Sequence, residues 1–116
     1  MAVDINPDCL RTHLANHPSV PVMRADLHHW RVVADAVKAR LGPLDRIHTI
    51  FKSPPCPDFS FAGLRVLGPR AWLTWEAALF VLEFDPELVV MENVPPVENS
   101  PPFLRMTEEY AKRGYS

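Results

Sequence analysis

A cysteine enclosed by prolines constrains the fold of this chain more than any other stretch. Residues 53–63 read Ser-Pro-Pro-Cys-Pro-Asp-Phe-Ser-Phe-Ala-Gly, and Lys52 separates them from the apolar residues 47–51. The prolines fix φ and exclude a helix locally. The preceding run is rich in β-branched and aromatic residues, which predicts a buried strand. The Cys56 thiol is therefore predicted to lie on a stiff loop at the carboxyl end of a strand, where α/β folds bind ligands.

Composition and charge limit the classes of protein to consider. The 116 residues are 47% hydrophobic and 22% charged, as expected for one globular domain. No apolar run approaches the roughly 20 residues of a membrane span, and no signal peptide opens the chain. A cytoplasmic protein without a membrane partner is predicted. The net charge of −2 argues against a self-sufficient DNA-binding module, although it does not exclude an enzyme that acts on DNA.

The two cysteines are too few for a disulfide framework, and they lie in different settings. Cys9 is predicted to be a small buried residue, which is the common role of an isolated cysteine. Cys56, in its proline-rich loop, is predicted to occupy a nucleophile's position.

Apolar periodicity predicts alternating strands and helices. Strands are expected at residues 2–5, 20–23, 47–51 and 88–91, the last covered on both faces. Helices are expected at 7–16, 30–41 and 103–112, with a further helix whose apolar face carries Trp72, Trp75, Leu79 and Leu82. This order predicts an α/β fold with a mainly parallel sheet. Because residues 114–116 resemble the lead-in to another strand, the chain is expected to be incomplete at both ends.

Side chains capable of chemistry follow the predicted strands. Asp4 lies at the end of the first, whereas Asp26 follows the second, Cys56 the third and Glu92 the fourth. The carboxyl ends of parallel strands share one edge, so these groups are expected at the ligand-binding edge of the sheet. Cys56 with Glu92 suggests thiolate attack on an electrophile while a carboxyl group handles a proton.

A reactive thiolate needs a lowered pKa, which a positive neighbour or a helix N-terminus provides. Lys52 and Arg65 are the cations near Cys56 in sequence.

The motifs resemble those of the C5-cytosine DNA methyltransferases. Residues 53–63 are similar to the family's Pro-Cys motif, and residues 86–94, Pro-Glu-Leu-Val-Val-Met-Glu-Asn-Val, to its Glu-Asn-Val motif. Residues 4–6 resemble the segment that binds the adenosine ribose, and residues 25–27 the acidic segment that reaches the adenine. The resemblance covers most of the chain and implies a Rossmann-like S-adenosylmethionine-dependent methyltransferase fold.

The resemblance also implies a mechanism. A cytosine is flipped out of the DNA duplex. Cys56 would attack C6 of the base while Glu92 holds and protonates N3. The activated C5 would take the methyl group of S-adenosylmethionine, and loss of the C5 proton with elimination of Cys56 would give 5-methylcytosine. Pro55 would set the direction of the nucleophile, and Asn93 would brace the loop.

Four further residues are implied in cofactor binding. Asp4 would bind the ribose hydroxyls, Ile5 would pack on the adenine and Asp26 would bond its amino group. Leu73, taken to precede the helix that carries Trp75, is a candidate for the other side of the adenine. No metal is implied.

Several departures from the family pattern are evident. Pro57 stands where many members have Gln. The opening strand with its Phe-x-Gly-x-Gly turn is missing, as are the later Arg-containing motif, the target-recognition region and the closing helix. Residues 1–116 are therefore expected to be a partial catalytic domain: a fragment, a subunit of a split enzyme or a remnant.

Other interpretations remain open. An inactive fragment or accessory subunit would act as a module that binds a complementary methyltransferase chain or itself, through exposed apolar sheet edges. A cysteine hydrolase fits poorly because no histidine base is evident near the loop. Glu92 could cap a helix or pair with an arginine, and Asp4 and Asp26 could be ordinary capping residues.

The remaining polar and aromatic clusters are assigned structural roles. His13 and His17 have the spacing of a metal pair, but no third ligand is evident, so a solvent-facing helix surface is predicted for them and for residues 28–29. The tryptophans are predicted to pack in the core or cover the sheet: Trp30, Trp72 and Trp75.

Overall fold

The computed structural model describes residues 1–43, 46–55 and 68–116, which form two compact units, Met1–Pro43 and Leu44–Ser116. The strands are β1 (Ala2–Asp4), β2 (Val22–Arg24), β3 (Thr49–Lys52) and β4 (Leu88–Met91). The helices are α1 (Pro7–Asn16), α2 (Trp30–Leu41), α3 (Pro69–Leu82) and α4 (Pro101–Lys112), with short 3-10 helices at Leu27–His29 and Pro95–Asn99. None of the helices in these ranges has the length and apolarity needed to cross a membrane.

The first unit is a parallel strand pair covered by α1. β1 and β2 run in register from Ala2 opposite Val22 to Asp4 opposite Arg24. The side chain of Asn6 accepts a hydrogen bond from the Asp8 backbone N–H at 2.8 Å, which caps α1. The predicted start of this helix is therefore confirmed.

The predicted burial in this unit is correct for α2 and wrong for Cys9 on α1. α2 buries Val33, Ala34 and Val37, as its periodicity predicts, and ends at Gly42, whose φ is 71°. Cys9, predicted to be buried, is a free and exposed thiol. The reason is geometric, because α1 directs the neighbouring Leu10 inward and leaves Cys9 on the outer face.

The second unit is another parallel pair, with β3 beside β4 from Thr49 opposite Leu88 to Lys52 opposite Met91. α3 and α4 pack against each other. A small apolar cluster links these elements to the Pro95–Asn99 turn, and its members are Ala71, Val97, Met91, Val94 and Phe103.

α3 buries a different face from the predicted one. The buried residues are mostly small: Ala71, Thr74, Ala77, Ala78, Val81 and Leu82. Of the predicted apolar face only Leu82 belongs to this set, and Trp72 is 37% exposed. Trp75 instead lies under the Arg105 guanidinium, 4.5 Å from its ring centroid. Small side chains allow helices to approach closely, so the alanines face the core and the bulky aromatic rings lie at its margin.

The α/β class and the parallel pairing are as predicted, but the strands are less covered than expected. Leu88 is 49% exposed and Phe51 is 77% exposed, so β4 is not covered on both faces and β3 is not a fully buried strand. Within the described residues β1 pairs with β2 and β3 pairs with β4. Tyr115, predicted to lead into a strand, lies after a turn and donates a hydrogen bond from its hydroxyl to the Pro86 carbonyl at 2.5 Å.

Candidate active site

The candidate active site is built where β3 and β4 end. Because the two strands are parallel, their following segments leave the pair at the same edge. β3 continues into residues 53–55, and β4 continues directly into Glu92 and Asn93. These residues belong to the Pro-Cys motif and the Glu-Asn-Val motif.

Hydrogen bonds join the two segments residue by residue. The Glu92 backbone N–H donates to the Lys52 carbonyl at 3.0 Å, which extends the ladder past the last paired residues. The Ser53 hydroxyl donates to Glu92 Oε2 at 2.7 Å. The Asn93 side-chain amide donates to the Pro54 carbonyl at 3.0 Å. The main chain before the cysteine is therefore held against the Glu-Asn segment at successive points.

Both ends of the Asn93 side chain are used. Its Nδ2 bonds the buried Pro54, and its Oδ1 accepts the Val94 backbone N–H at 2.8 Å. An amide whose donor and acceptor are both engaged has one favourable orientation. Pro55, next along the chain, is exposed. Cys56 lies outside the described residues, so its role and that of Pro55 in directing it stay predictions.

Lys52 ends β3 with its side chain turned against α4. Its Nζ lies 2.9 Å from the Met106 sulfur and 5.0 Å from the centre of the Tyr110 ring. Burial lowers the pKa of Lys52 from 10.5 to about 7, because the charged form loses its hydration. Burial is the main cause that raises the pKa of Tyr110, and the nearby Tyr115 raises it further. Lys52 is thus partly neutral near pH 7, which weakens it as the positive neighbour of a thiolate.

The carboxylates predicted to bind the cofactor lie at the corresponding edge of the first unit. Asp4 is the last residue of β1, and its Oδ1 accepts the Asn6 backbone N–H at 2.7 Å. Asp26 follows β2, and its Oδ1 accepts the His28 backbone N–H at 3.0 Å. The Asp4 carbonyl also accepts the Ala25 N–H at 3.0 Å, which keeps the two strand ends together. Both aspartates therefore make the local capping contacts that their structural interpretation predicts, and their role in cofactor binding stays a prediction.

The two apolar candidates for adenine contact differ in their setting. Ile5 is 57% exposed, and its carbonyl accepts a hydrogen bond from Arg24 Nε at 3.2 Å. Leu73 was predicted to precede the third helix. It lies within α3 instead, where it is half-buried. The earlier boundary was wrong because Pro69 at the first helical position starts the helix before the tryptophans.

A groove of about 570 Å³ lies beside β4, and the Glu92 carboxylate does not line it. Its lining includes Met91, Asn93, Phe103, Met106 and Tyr110 but not Glu92.

Histidine pairs do not build a metal site in the described part of the chain. The His13 and His17 rings lie 5.0 Å apart on α1. No group of three or more potential ligands from His, Cys, Asp or Glu occurs among the residues that the structure describes.

Sequence reasoning missed Ser53 as a partner of Glu92. Ser53 opens the proline-rich segment, but no local pattern indicates which distant residue its hydroxyl meets. The contact depends on the register between β3 and β4, which periodicity in either strand alone does not specify.

Comparison with known proteins agrees with the site's motifs. A sequence model of the C-5 cytosine-specific DNA methylase family matches residues 1–116. Type II methyltransferase M.AquIA of Picosynechococcus sp. is 35% identical over 96 residues, covering 81% of this chain and 38% of the relative. Type II methyltransferase M.HindV of Haemophilus influenzae is 32% identical over 101 residues, covering 86% and 32%.

A third relative has similar limits. Type II methyltransferase M.HgiDI of Herpetosiphon aurantiacus is 36% identical over 94 residues, covering 80% of this chain and 28% of the relative. The matches thus extend over only 28% to 38% of the length of these relatives. No match was found among solved structures. Since the family match spans every residue of the chain, the chain belongs to the C-5 cytosine-specific DNA methylase family.

Proposed function

We propose that this chain carries the cytosine-activating part of a DNA (cytosine-5-)-methyltransferase. The observation that carries the proposal is the bonded junction between residues 53–55 and the segment that begins at Glu92. The junction brings the carboxyl group near the start of the loop that contains Cys56. A nucleophile and an acid at one strand edge are what covalent activation of a pyrimidine ring requires.

In the proposed reaction the Cys56 thiolate adds to C6 of a flipped cytosine. Glu92 gives its proton to N3, so that the electron pair displaced from the ring does not leave a full negative charge on the base. C5 would then take a methyl group as the methyl–sulfonium bond of S-adenosylmethionine breaks, which leaves a neutral thioether. A base would remove the C5 proton, and the C6–sulfur bond would break to return the Cys56 thiolate. Glu92 recovers the proton from N3 at this last step. Asn93 supports the geometry by holding the Pro54 carbonyl.

The first unit has groups that fit S-adenosylmethionine, which would supply the electrophilic methyl group. Asp4 and Asp26 place carboxylates at the same edge of a parallel pair, where ribose hydroxyls and an adenine amino group find acceptors. Ile5 adds an exposed apolar surface for a purine ring. Leu73 stays a candidate for adenine contact.

A second candidate function is a module that binds a complementary methyltransferase chain. The observation in its favour is that large apolar side chains of the β3–β4 pair are exposed, Phe51 by 77% and Leu88 by 49%. In this case the carboxylate and the cysteine loop would be completed by residues of the partner.

One experiment tests both proposals. The chain is incubated with S-adenosylmethionine and DNA containing 5-fluorocytosine, in which C5 has no proton to lose, and a covalent adduct is sought on a denaturing gel. Adduct formed by the chain alone supports the first proposal, whereas adduct formed only with a complementary chain supports the second.

Two variants probe the assigned residues in the same system. Cys56→Ser should abolish the adduct, and Glu92→Gln should slow methyl transfer by about 10²- to 10⁴-fold because the proton donor is lost. Full methyl transfer by Cys56→Ser would show that the mechanism is wrong. An exposed serine in the first unit, Ser19→Ala, provides a matched control that should behave as the wild type.

A further inference from the structure

Ser53 holds the carboxyl group at the centre of the proposed mechanism. Its hydroxyl donates to Glu92 Oε2 at 2.7 Å, and the two residues lie on different strand ends. We propose that Ser53 is a positioning residue for Glu92, which fixes Oε2 and leaves Oε1 as the oxygen that exchanges a proton with the base. This inference rests on the proposed function and adds to it a residue that acts through Glu92.

The backbone on both sides of this contact is already fixed. The Glu92 N–H is bonded to the Lys52 carbonyl at 3.0 Å, and the Asn93 amide is bonded to the Pro54 carbonyl at 3.0 Å. Pro54 directly follows Ser53 and limits its backbone to extended conformations. The position of Ser53 relative to Glu92 is therefore set by the main chain, and its hydroxyl needs no large adjustment to reach the carboxylate.

Glu92 needs such a partner because its residue is exposed. A glutamate side chain in water samples several rotamers, and ordering it costs conformational entropy. The hydrogen bond from Ser53 offsets that cost before substrate arrives. Since Oε2 can accept the bond whether or not Oε1 carries a proton, Ser53 can hold the carboxyl group through both halves of the proton transfer.

The first test measures the order of the Glu92 side chain by NMR in the full chain. In the wild type, the Hα–Hβ scalar couplings of Glu92 should be those of one dominant rotamer. Ser53→Ala should move them toward rotamer-averaged values, and Ser53→Thr, which keeps the hydroxyl, should restore them. Ser19→Ala is the control. Couplings that do not change in Ser53→Ala would overturn the proposal.

The second test measures methyl transfer at saturating S-adenosylmethionine. Ser53→Ala should lower kcat by about tenfold, with the KM for DNA little changed, because the lost hydrogen bond orients the reacting carboxyl group and makes no contact with DNA. Ser53→Thr should recover most of this loss. In a Glu92→Ala background, Ser53→Ala should cost nothing further, since no carboxyl group remains to be held. An equal tenfold loss in that background would show that Ser53 acts elsewhere.

The two tests keep this inference separate from the proposed function. If Glu92→Ala retains wild-type kcat, or the chain transfers no methyl group, the function proposed for the chain alone is wrong. The NMR couplings then still decide whether Ser53 orders Glu92. If Glu92→Ala is inactive while Ser53→Ala has wild-type kcat and couplings, the function stands and the assignment of Ser53 is wrong.

Discussion

Replacing Lys52 by Met should stabilise the chain, and more at pH 6 than at pH 9. Lys52 extends under α4, where its Nζ meets the Met106 sulfur at 2.9 Å and the face of the Tyr110 ring at 5.0 Å. A methionine of similar length keeps the apolar packing of the stem and removes the amine. The variant therefore isolates the cost of burying the charged group.

The size of the effect follows from the pKa of Lys52, which burial lowers from 10.5 to about 7. Between these two values the unfolded chain binds more protons than the folded chain, so stability rises with pH by up to about 1.4 kcal/mol per pH unit. Below pH 7 both states are protonated and the full penalty applies. From pH 6 to pH 9 this one group should add about 2 to 3 kcal/mol to the wild-type free energy of unfolding.

Urea unfolding of wild type and Lys52→Met at pH 6 and pH 9 measures this difference. The stability advantage of the variant should shrink by about 2 to 3 kcal/mol between the two pH values, because methionine does not titrate. Lys112→Met, which removes a lysine whose side chain is 69% exposed on α4, is the matched control and should show a much smaller change. An advantage of equal size at both pH values would show that burial of the charged Lys52 amine does not destabilise the chain.

Two further predictions concern stability and association. Asn6→Ala should reduce the free energy of unfolding by about 1 kcal/mol in urea titrations, because it removes the cap bonded to Asp8 N–H at 2.8 Å. Asn6→Asp should retain most of that stability, and equal losses in both variants would mean that the cap is not the cause. Phe51→Lys should reduce concentration-dependent self-association in sedimentation velocity, since Phe51 is 77% exposed on β3. An unchanged distribution of species would exclude this strand as the contact surface.

Local signals in the sequence predicted those features that depend on a few adjacent residues. Asn6 and Pro7 marked the start of α1, and Gly42 marked the end of α2, where its positive φ allows the chain to leave the helix. Glu92 was correctly placed directly after a strand. Each of these outcomes depends on backbone geometry within one or two turns, which the residue types themselves determine.

Features that depend on how elements pack were not predictable in this way. α3 carries apolar residues on all sides, so periodicity could not choose between its tryptophan face and its alanine face. Cys9 was assigned by residue type, yet the helix face decided its exposure. The contact between Ser53 and Glu92 required knowledge of two strands at once.

The prolines that follow Ser53 determine where the hydrogen-bond ladder between β3 and β4 ends. Pro54 and Pro55 have no backbone N–H, so the ladder cannot continue along the chain beyond Ser53. Its last bond joins the Glu92 N–H to the Lys52 carbonyl. A register shift of one residue would turn the side chains to opposite faces and separate Ser53 from the carboxylate. The prolines that follow Ser53 therefore determine where strand pairing stops, and with it which acid lies beside Ser53.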